Sequence, residues 1–241
     1  MKKQFLFFLL LATTHIHAAK VGLLVMATGK YIQFIEPLIN SADQYFCPED
    51  EVTYFIFTDG QPPVRADVIK IHQGRLGWPH DTMMRCRAYL NGYEAWKDMD
   101  YVFACDADML FVDTVGREIL SERVATQHPG FVGKRGTYET RPESTAYIGS
   151  RDGRYYFAGG FHGGSAVEFH KLVSTMLRNI EIDLAKGIIA IWHDESHLNR
   201  YFVDNPPTKI LTAEYCYPES WNLPYHKRLL ALDKNHAEMR K

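Results

Sequence analysis

The apolar run Tyr101-Val102-Phe103-Ala104-Cys105 ends abruptly in Asp106-Ala107-Asp108, and this junction constrains the chain more than any other stretch. A short run that is apolar throughout reads as a strand buried on both faces, and carboxylates at its end fall at the edge of a sheet. Two Asp side chains so close repel each other, and a hard divalent cation such as Mg²⁺ or Mn²⁺ between them removes that repulsion. Such an ion keeps coordination positions open for phosphate oxygens. A strand followed by an ordinary acidic turn leaves the same trace, so the rest of the sequence has to decide between the two.

With 241 residues, 46% of them hydrophobic, the chain can fill one large core, and no linker or low-complexity stretch divides it. A net charge of −2 without any long basic run argues against nucleic acid or an anionic membrane surface as the main partner. A small neutral or phosphorylated substrate fits better, and 14 Tyr, 14 Phe and 4 Trp suit stacking on sugar rings and bases. At the amino end, Lys2 and Lys3 precede an apolar run from Phe5 to Ala12, and His17-Ala18-Ala19 offers small residues for cleavage. Residues 1–19 therefore read as a signal peptide, with 20–241 as a single domain and export to a secretory lumen or periplasm. Left uncleaved, the same segment would be a short anchor giving peripheral membrane association; a cytoplasmic location is the remaining alternative. Cys47, Cys86, Cys105 and Cys216 are widely spaced and form no C-x-x-C pair, so neither a zinc site nor a dense disulfide framework is indicated.

Lys20 to Ala27 reads as a first buried strand, followed by the loop Thr28-Gly29-Lys30-Tyr31, in the position where open α/β sheets bind nucleotides. Ile35, Leu38, Ile39, Ala42 and Tyr45 then recur at helical spacing, Val52 to Thr58 reads as a second strand, and Val68 to Ile71 as a weaker third. Thr82 is placed to cap a helix running through Met84, Ala88 and Tyr89 towards Trp96. Strands alternating with helices predict an α/β sandwich with a mostly parallel central sheet. From about Thr126 to Gly164 the sequence loses periodicity and is rich in Gly, Pro and aromatic residues, which predicts a functional loop system ending in Phe157-Ala158-Gly159-Gly160-Phe161-His162-Gly163-Gly164. These glycines match neither a P-loop nor a dinucleotide fingerprint, and close backbone approach is their expected use. Phe169, Leu172, Val173, Met176, Leu177 and Ile180 form the core stripe of a further helix.

A second acidic group follows the apolar segment Ile188 to Trp192, in His193-Asp194-Glu195-Ser196-His197-Leu198-Asn199. Asp194 is placed to cap a helix, with Glu195 in its first turn, where the helix dipole favours an ionised carboxylate able to act as nucleophile or electrostatic stabiliser. His193 and His197 have the i,i+4 spacing of zinc proteases, but Asp194 stands where that motif needs Glu, and Glu195 is rotated by about 100° from the required face.

Taken together, D-A-D after an apolar strand, F-A-G-G-F-H-G-G-S and W-H-D-E-S-H-L-N resemble glycosyltransferase family six, the retaining enzymes that include blood-group A and B transferases and α-1,3-galactosyltransferase. His128-Pro129-Gly130-Phe131 and R-P-x-S-x-A-Y-I at Arg141 to Ile148 extend the likeness, which runs from about Val21 to Arg240 in matching order. The resemblance implies a GT-A fold working on a UDP-sugar with Mn²⁺, Mg²⁺ being the substitute ion. Asp106 and Asp108 match the metal-binding pair, Glu195 the proposed nucleophile, and Asp194 a contact to the donor sugar's hydroxyls. Met26, Thr28 and Tyr31 fall where the family packs uracil and ribose, Met26 in place of an aromatic residue. Arg85 aligns with a donor-contacting Arg, and Lys234 and Arg240 lie in a tail that closes over the diphosphate. His128, Thr137, Trp192 and Glu195 match acceptor contacts, although Tyr217-Pro218-Glu219 departs from the family's acidic acceptor residue.

The resemblance also implies that Ala158, Gly159 and Gly160 line the pocket around the second carbon of the donor sugar, where small residues leave room for an acetamido group. The expectation is transfer of N-acetylgalactosamine, in preference to galactose, from UDP in α-1,3 linkage to a galactose-containing glycan. A catalytically silent sugar-binding protein or a UDP-sugar hydrolase would keep the same fold.

Overall fold

Burial on both faces turns the apolar runs into the middle of a sheet. The computed structural model describes residues 17–239; the expected leader, apart from residues 17–19, and Arg240 lie outside the described residues. Four strands are mutually parallel: β1 (Lys20–Met26), β2 (Glu51–Thr58), β3 (Val68–His72) and β4 (Tyr101–Asp106), in the spatial order β3-β2-β1-β4. Beyond a short β5 (Met109–Phe111) come β6 (Arg123–Gln127) and β7 (Phe157–Ser165), and then β8 (Lys209–Leu211), β9 (Tyr217–Pro218) and β10 (Leu229–Ala231). β7 is inserted antiparallel between β4 and β6, and β6 pairs in parallel with β8, which completes a seven-stranded sheet. β5, β10 and β9 form a small second sheet. The helices are α1 (Ile35–Tyr45), α2 (His80–Met83), α3 (Arg85–Asn91), α4 (Tyr93–Trp96), α5 (Ala166–Ala185), α6 (His193–Asp204) and α7 (His236–Met239). This is the α/β sandwich with a mostly parallel sheet that the sequence predicts, and it has the layout of a GT-A fold.

Alternation along the strands decides which layer each residue meets. Val21, Leu23 and Val25 of β1, with Phe103 and Cys105 of β4, pack against Leu38, Ile39 and Ala42 of α1. Leu24, Val102 and Ala104 face the opposite layer, with Cys86, Ala88 and Tyr89 of α3 and Phe169, Leu172 and Met176 of α5. Asp106 continues the Val102 and Ala104 series, so it emerges on the α3 side of the sheet.

Two elements differ from the sequence reading. The single helix expected from Thr82 towards Trp96 is broken into α2, α3 and α4, and Thr82 lies inside α2, whose cap position is Pro79. Between α3 and α4, at Gly92, a Cβ would come within 2.8 Å of Phe57, so no side chain fits where the helix turns. The stretch Phe157–Ser165, read as the end of a loop system, is instead a strand buried along almost all its length. Its glycines had hidden it, since they lower strand propensity, but they serve close approach: a Cβ on Gly163 would lie 2.3 Å from the Val102 carbonyl oxygen.

Asn199 of α6 makes two hydrogen bonds to the backbone of β7. Asn199 Oδ1 accepts the Phe157 N–H at 2.8 Å, and its Nδ2 donates to the Phe157 carbonyl at 2.9 Å and to the Glu195 carbonyl at 2.9 Å. Asn199 is buried, so these groups have no water to fall back on. Asn199→Ala is expected to lower unfolding free energy by about 3 kcal/mol, because buried backbone groups lose their partners. Urea denaturation monitored by fluorescence measures this, and a change below about 1 kcal/mol would contradict the assignment.

Candidate active site

The carboxyl ends of β1 and β4 open into a cleft of about 880 Å³, counted out to its mouth in solvent. The parallel register sets Met26 beside Asp106, and the chain leaving β1 adds Thr28 and Tyr31 to the same wall. Asp108 stands at the floor, and the pairing of β10 with β5 decides what faces it. The Leu232 N–H donates to the Asp108 carbonyl at 2.9 Å, and Lys234, two residues further on, sets its ammonium against Asp108 Oδ2. The cleft thus joins Met26, Thr28, Tyr31, Arg85, Asp106, Asp108 and Lys234, all selected from sequence.

Arg85 is the electrostatic centre. Its Nη1 lies 2.6 Å from Asp106 Oδ1 and its Nε 2.7 Å from Asp194 Oδ2, with the guanidinium largely buried. Burial works against the Arg85 charge, but Asp194 and Asp106 outweigh it and hold the side chain firmly protonated. For Asp106, burial raises the carboxyl while Arg85 and Lys234 pull harder, leaving it below the ordinary carboxylate range. Asp194 is pushed up to about 6 by burial, which the same guanidinium only partly offsets. Asp194 is therefore not the helix cap that the sequence suggested: α6 begins at His193, which has φ 52°, and no side chain caps it. The carboxylate turns inward because an ion pair in a buried place outweighs a cap bond at the surface.

Glu195 lies behind the cleft, in the first turn of α6, on the far side of the Gly159-Gly160 step. Its Oε2 accepts the Gly159 N–H and its Oε1 the Tyr156 hydroxyl, both at 2.8 Å. A Cβ on Gly159 would lie 3.5 Å from Glu195 Oε2, and one on Gly160 would lie 3.5 Å from Asp106 Oδ2, so the two glycines separate the two carboxylates. The helix dipole is not the only influence on Glu195. Burial pushes its carboxyl up to about 7 against both hydrogen bonds, with Asp194 and Asp106 adding to the rise.

The residues matched to an acceptor are less tightly grouped. His128 accepts the Gly130 N–H through Nδ1 at 3.0 Å and packs 5.7 Å from the Tyr156 ring, which links it to Glu195. Trp192 holds the start of α6, its N–H donating to Ser196 Oγ at 2.9 Å, and its indole is 48% exposed. Thr137 is exposed and shares no hydrogen bond with the others among the described residues. Ala158 is buried in the face shared with Met109 and Cys216. Sequence reasoning missed Tyr156, which had no periodic signal, and Trp78, which lines the cleft and packs its ring 4.8 Å from His193.

Among the described residues no group of three or more His, Cys, Asp and Glu is placed to hold a metal ion. Among them, too, no helix is long and apolar enough to cross a membrane.

Comparisons with known proteins identify the family. The model of glycosyltransferase family 6 matches residues 7–241. Histo-blood group ABO system transferase 1 of Rattus norvegicus is 38% identical over 237 residues, covering 91% of this chain and 68% of the relative. Globoside alpha-1,3-N-acetylgalactosaminyltransferase 1 of Homo sapiens is 32% identical over 231 residues, covering 89% and 67% respectively. Glycosyltransferase 6 domain-containing protein 1 of Mus musculus is 30% identical over 222 residues, covering 86% and 70%. On the extent of the match, the chain belongs to glycosyltransferase family 6.

Proposed function

We propose that this chain is a retaining hexosyltransferase that moves N-acetylgalactosamine, in preference to galactose, from a UDP-sugar in α-1,3 linkage to a galactose-containing glycan, with Mn²⁺ or Mg²⁺. The observation that carries the reading is the placing of Glu195 and Asp106 on either side of the Gly159-Gly160 step, beside the cleft that holds Asp108 and Lys234. A sugar seated over that step has a carboxylate behind it and the charges needed by a diphosphate in front. The relatives are named for blood-group and α-1,3-N-acetylgalactosaminyl transfer, which supports the linkage and the donor.

Met26, Thr28 and Tyr31 hold the uridine, Arg85 and Asp194 the sugar, and Lys234 with Arg240 the diphosphate. Asp106 and Asp108 fit a hard divalent ion, because two carboxylates with no third protein ligand among the described residues leave positions for phosphate oxygens. When bound, that ion neutralises charge on the departing UDP. Glu195 meets the oxocarbenium-like centre from the face opposite UDP and forms a glycosyl ester as the C1–O bond to UDP breaks; the acceptor hydroxyl then displaces that ester from the side UDP has left, giving its proton to a phosphate oxygen of the departing UDP, so two inversions restore the configuration. His128, Thr137 and Trp192 orient the acceptor. Incubating purified protein with UDP-sugars and a panel of β-galactosides tests the whole reading: an α-linked disaccharide supports it, release of free sugar alone points to hydrolysis, and an untouched donor to a silent protein.

Asp108→Asn is expected to reduce transfer by about 100-fold or more and to weaken UDP binding in the presence of Mn²⁺, since an amide cannot hold the ion against diphosphate repulsion. Calorimetric titration with UDP checks the second part, and parental activity in excess chelator would overturn it.

Glu195→Gln is expected to lower kcat by about 10³-fold with UDP affinity kept, because the lost charge acts on the developing cation. Glu195 works as an anion and burial sets its ionisation near 7, so parental kcat/KM should rise with pH through about 7 and level off above it. A flat profile across that range would remove Glu195 from the mechanism.

At Gly160 a methyl group would meet Cys216 Sγ at 3.3 Å and Asp106 Oδ2 at 3.5 Å, so Gly160→Ala fits with only a small adjustment; with the sugar seated over this step as proposed, the methyl takes room from the acetamido group. The kcat/KM ratio of the two donors should move towards galactose by about 10–200-fold. Direct competition of UDP-galactose and UDP-N-acetylgalactosamine measures the ratio, and a parent that prefers galactose would show the donor assignment to be wrong.

A further inference from the structure

Glu195 is held from outside its own helix. The Tyr156 hydroxyl donates to Oε1 at 2.8 Å and, among the described residues, is the only side-chain donor to this carboxylate. The phenol sits at the end of the segment between β6 and β7 and is 1% exposed. Phe131, Tyr138 and His128 pack around its ring at 4.8, 5.1 and 5.7 Å. Gly136 lies flat against the same ring, where a Cβ would come within 2.0 Å of Tyr156 Cδ2. The backbone is fixed as well, the Tyr156 carbonyl accepting the His128 N–H at 2.9 Å. A ring so enclosed has one orientation, and its hydroxyl one partner.

We propose that Tyr156 is a positioning residue for Glu195: its O–H fixes the carboxylate towards the glycine step and favours the ionised form. The inference rests on the reading of Glu195 as the group that meets the cationic centre. Burial, with Glu195 beside it, keeps the phenol protonated, so it donates and does not compete for the charge. The groups facing Glu195 are Asp194 on its own helix, Asp106 at the end of β4, Cys216 before β9, and Gly159 and Tyr156. Of these the two carboxylates oppose ionisation, while the Gly159 N–H and the Tyr156 hydroxyl support it. The ring also packs on His128 and Phe131, so it joins the loop carrying an expected acceptor contact to the carboxylate.

The test is Tyr156→Phe, which keeps the ring and its packing, measured beside the parent and Glu195→Gln. Loss of one hydrogen bond to a charged group predicts a kcat lower by about 10–100-fold, with KM for the UDP-sugar within about twofold of the parent. The rising limb of kcat/KM should move to higher pH by about one unit. Without any substrate, the drop in unfolding temperature should be larger at about pH 8, where Glu195 is an anion in the fold, than at about pH 5.5. If Glu195→Gln is slow but Tyr156→Phe keeps the parental kcat and limb, the inference is overturned and the Glu195 reading stands. Equal loss of unfolding temperature at both pH values with kcat intact would assign Tyr156 to packing alone and also overturn it. Glu195→Gln at parental speed would overturn both readings.

Discussion

One guanidinium, buried between Asp106 and Asp194, ties the sheet to the helix that carries Glu195. Arg85 is the first residue of α3, Asp106 the last of β4, and Asp194 stands in the first turn of α6, so three elements meet at a single charge. Removing one member of a buried ionic group leaves the others without compensation, which costs far more than a surface pair is worth. The arrangement is also selective in its effect: Asp106 is kept ionised by two cations, while Asp194, served by Arg85 under heavy burial, is not held low. Neighbouring carboxylates thereby acquire different proton affinities from the position of one side chain.

The sheet supplies the frame in which that charge can act. Side chains alternate between faces, so a slip of one residue in β4 would send Asp106 into the α1 layer and carry Cys105 to the α3 side. Register is held by full burial on both faces of β1 and β4 and by the close approach of β7 at Gly163. Asn199 then converts strand register into helix position, since it reads the backbone of Phe157 and places Glu195, one turn earlier, opposite Gly159.

Much of this could be read from the sequence, and the failures have identifiable causes. The first strand, the strand before Asp106 and α1 are runs whose period and apolar character agree with their final burial. The pairs Asp106 with Asp108 and Asp194 with Glu195 were visible because charges at the end of apolar runs are conspicuous. What could not be read was any partner distant in the chain. Asp194 looked like a cap because Arg85 stands more than a hundred residues away, and the rise at Glu195 was hidden because the helix dipole is a local effect while burial is not. β7 was hidden by its glycines, and Tyr156 by the irregular segment in which it lies. In each case a local preference was outweighed by a contact made across the fold.

The direction of the parallel strands gives the two ends of the described chain unequal relations to the cleft. β1 runs from Lys20 towards the cleft, so its amino end lies at the opposite edge of the sheet, about 20 Å away for a strand of seven residues. At the other end His236 and Met239 line the cleft itself. A surface support or fluorescent label attached at residues 17–19 stands at the edge of the sheet opposite the cleft, whereas one attached at His236 or Met239 stands in the cleft wall. For immobilisation or for optical assays of binding, the amino end is the one to use.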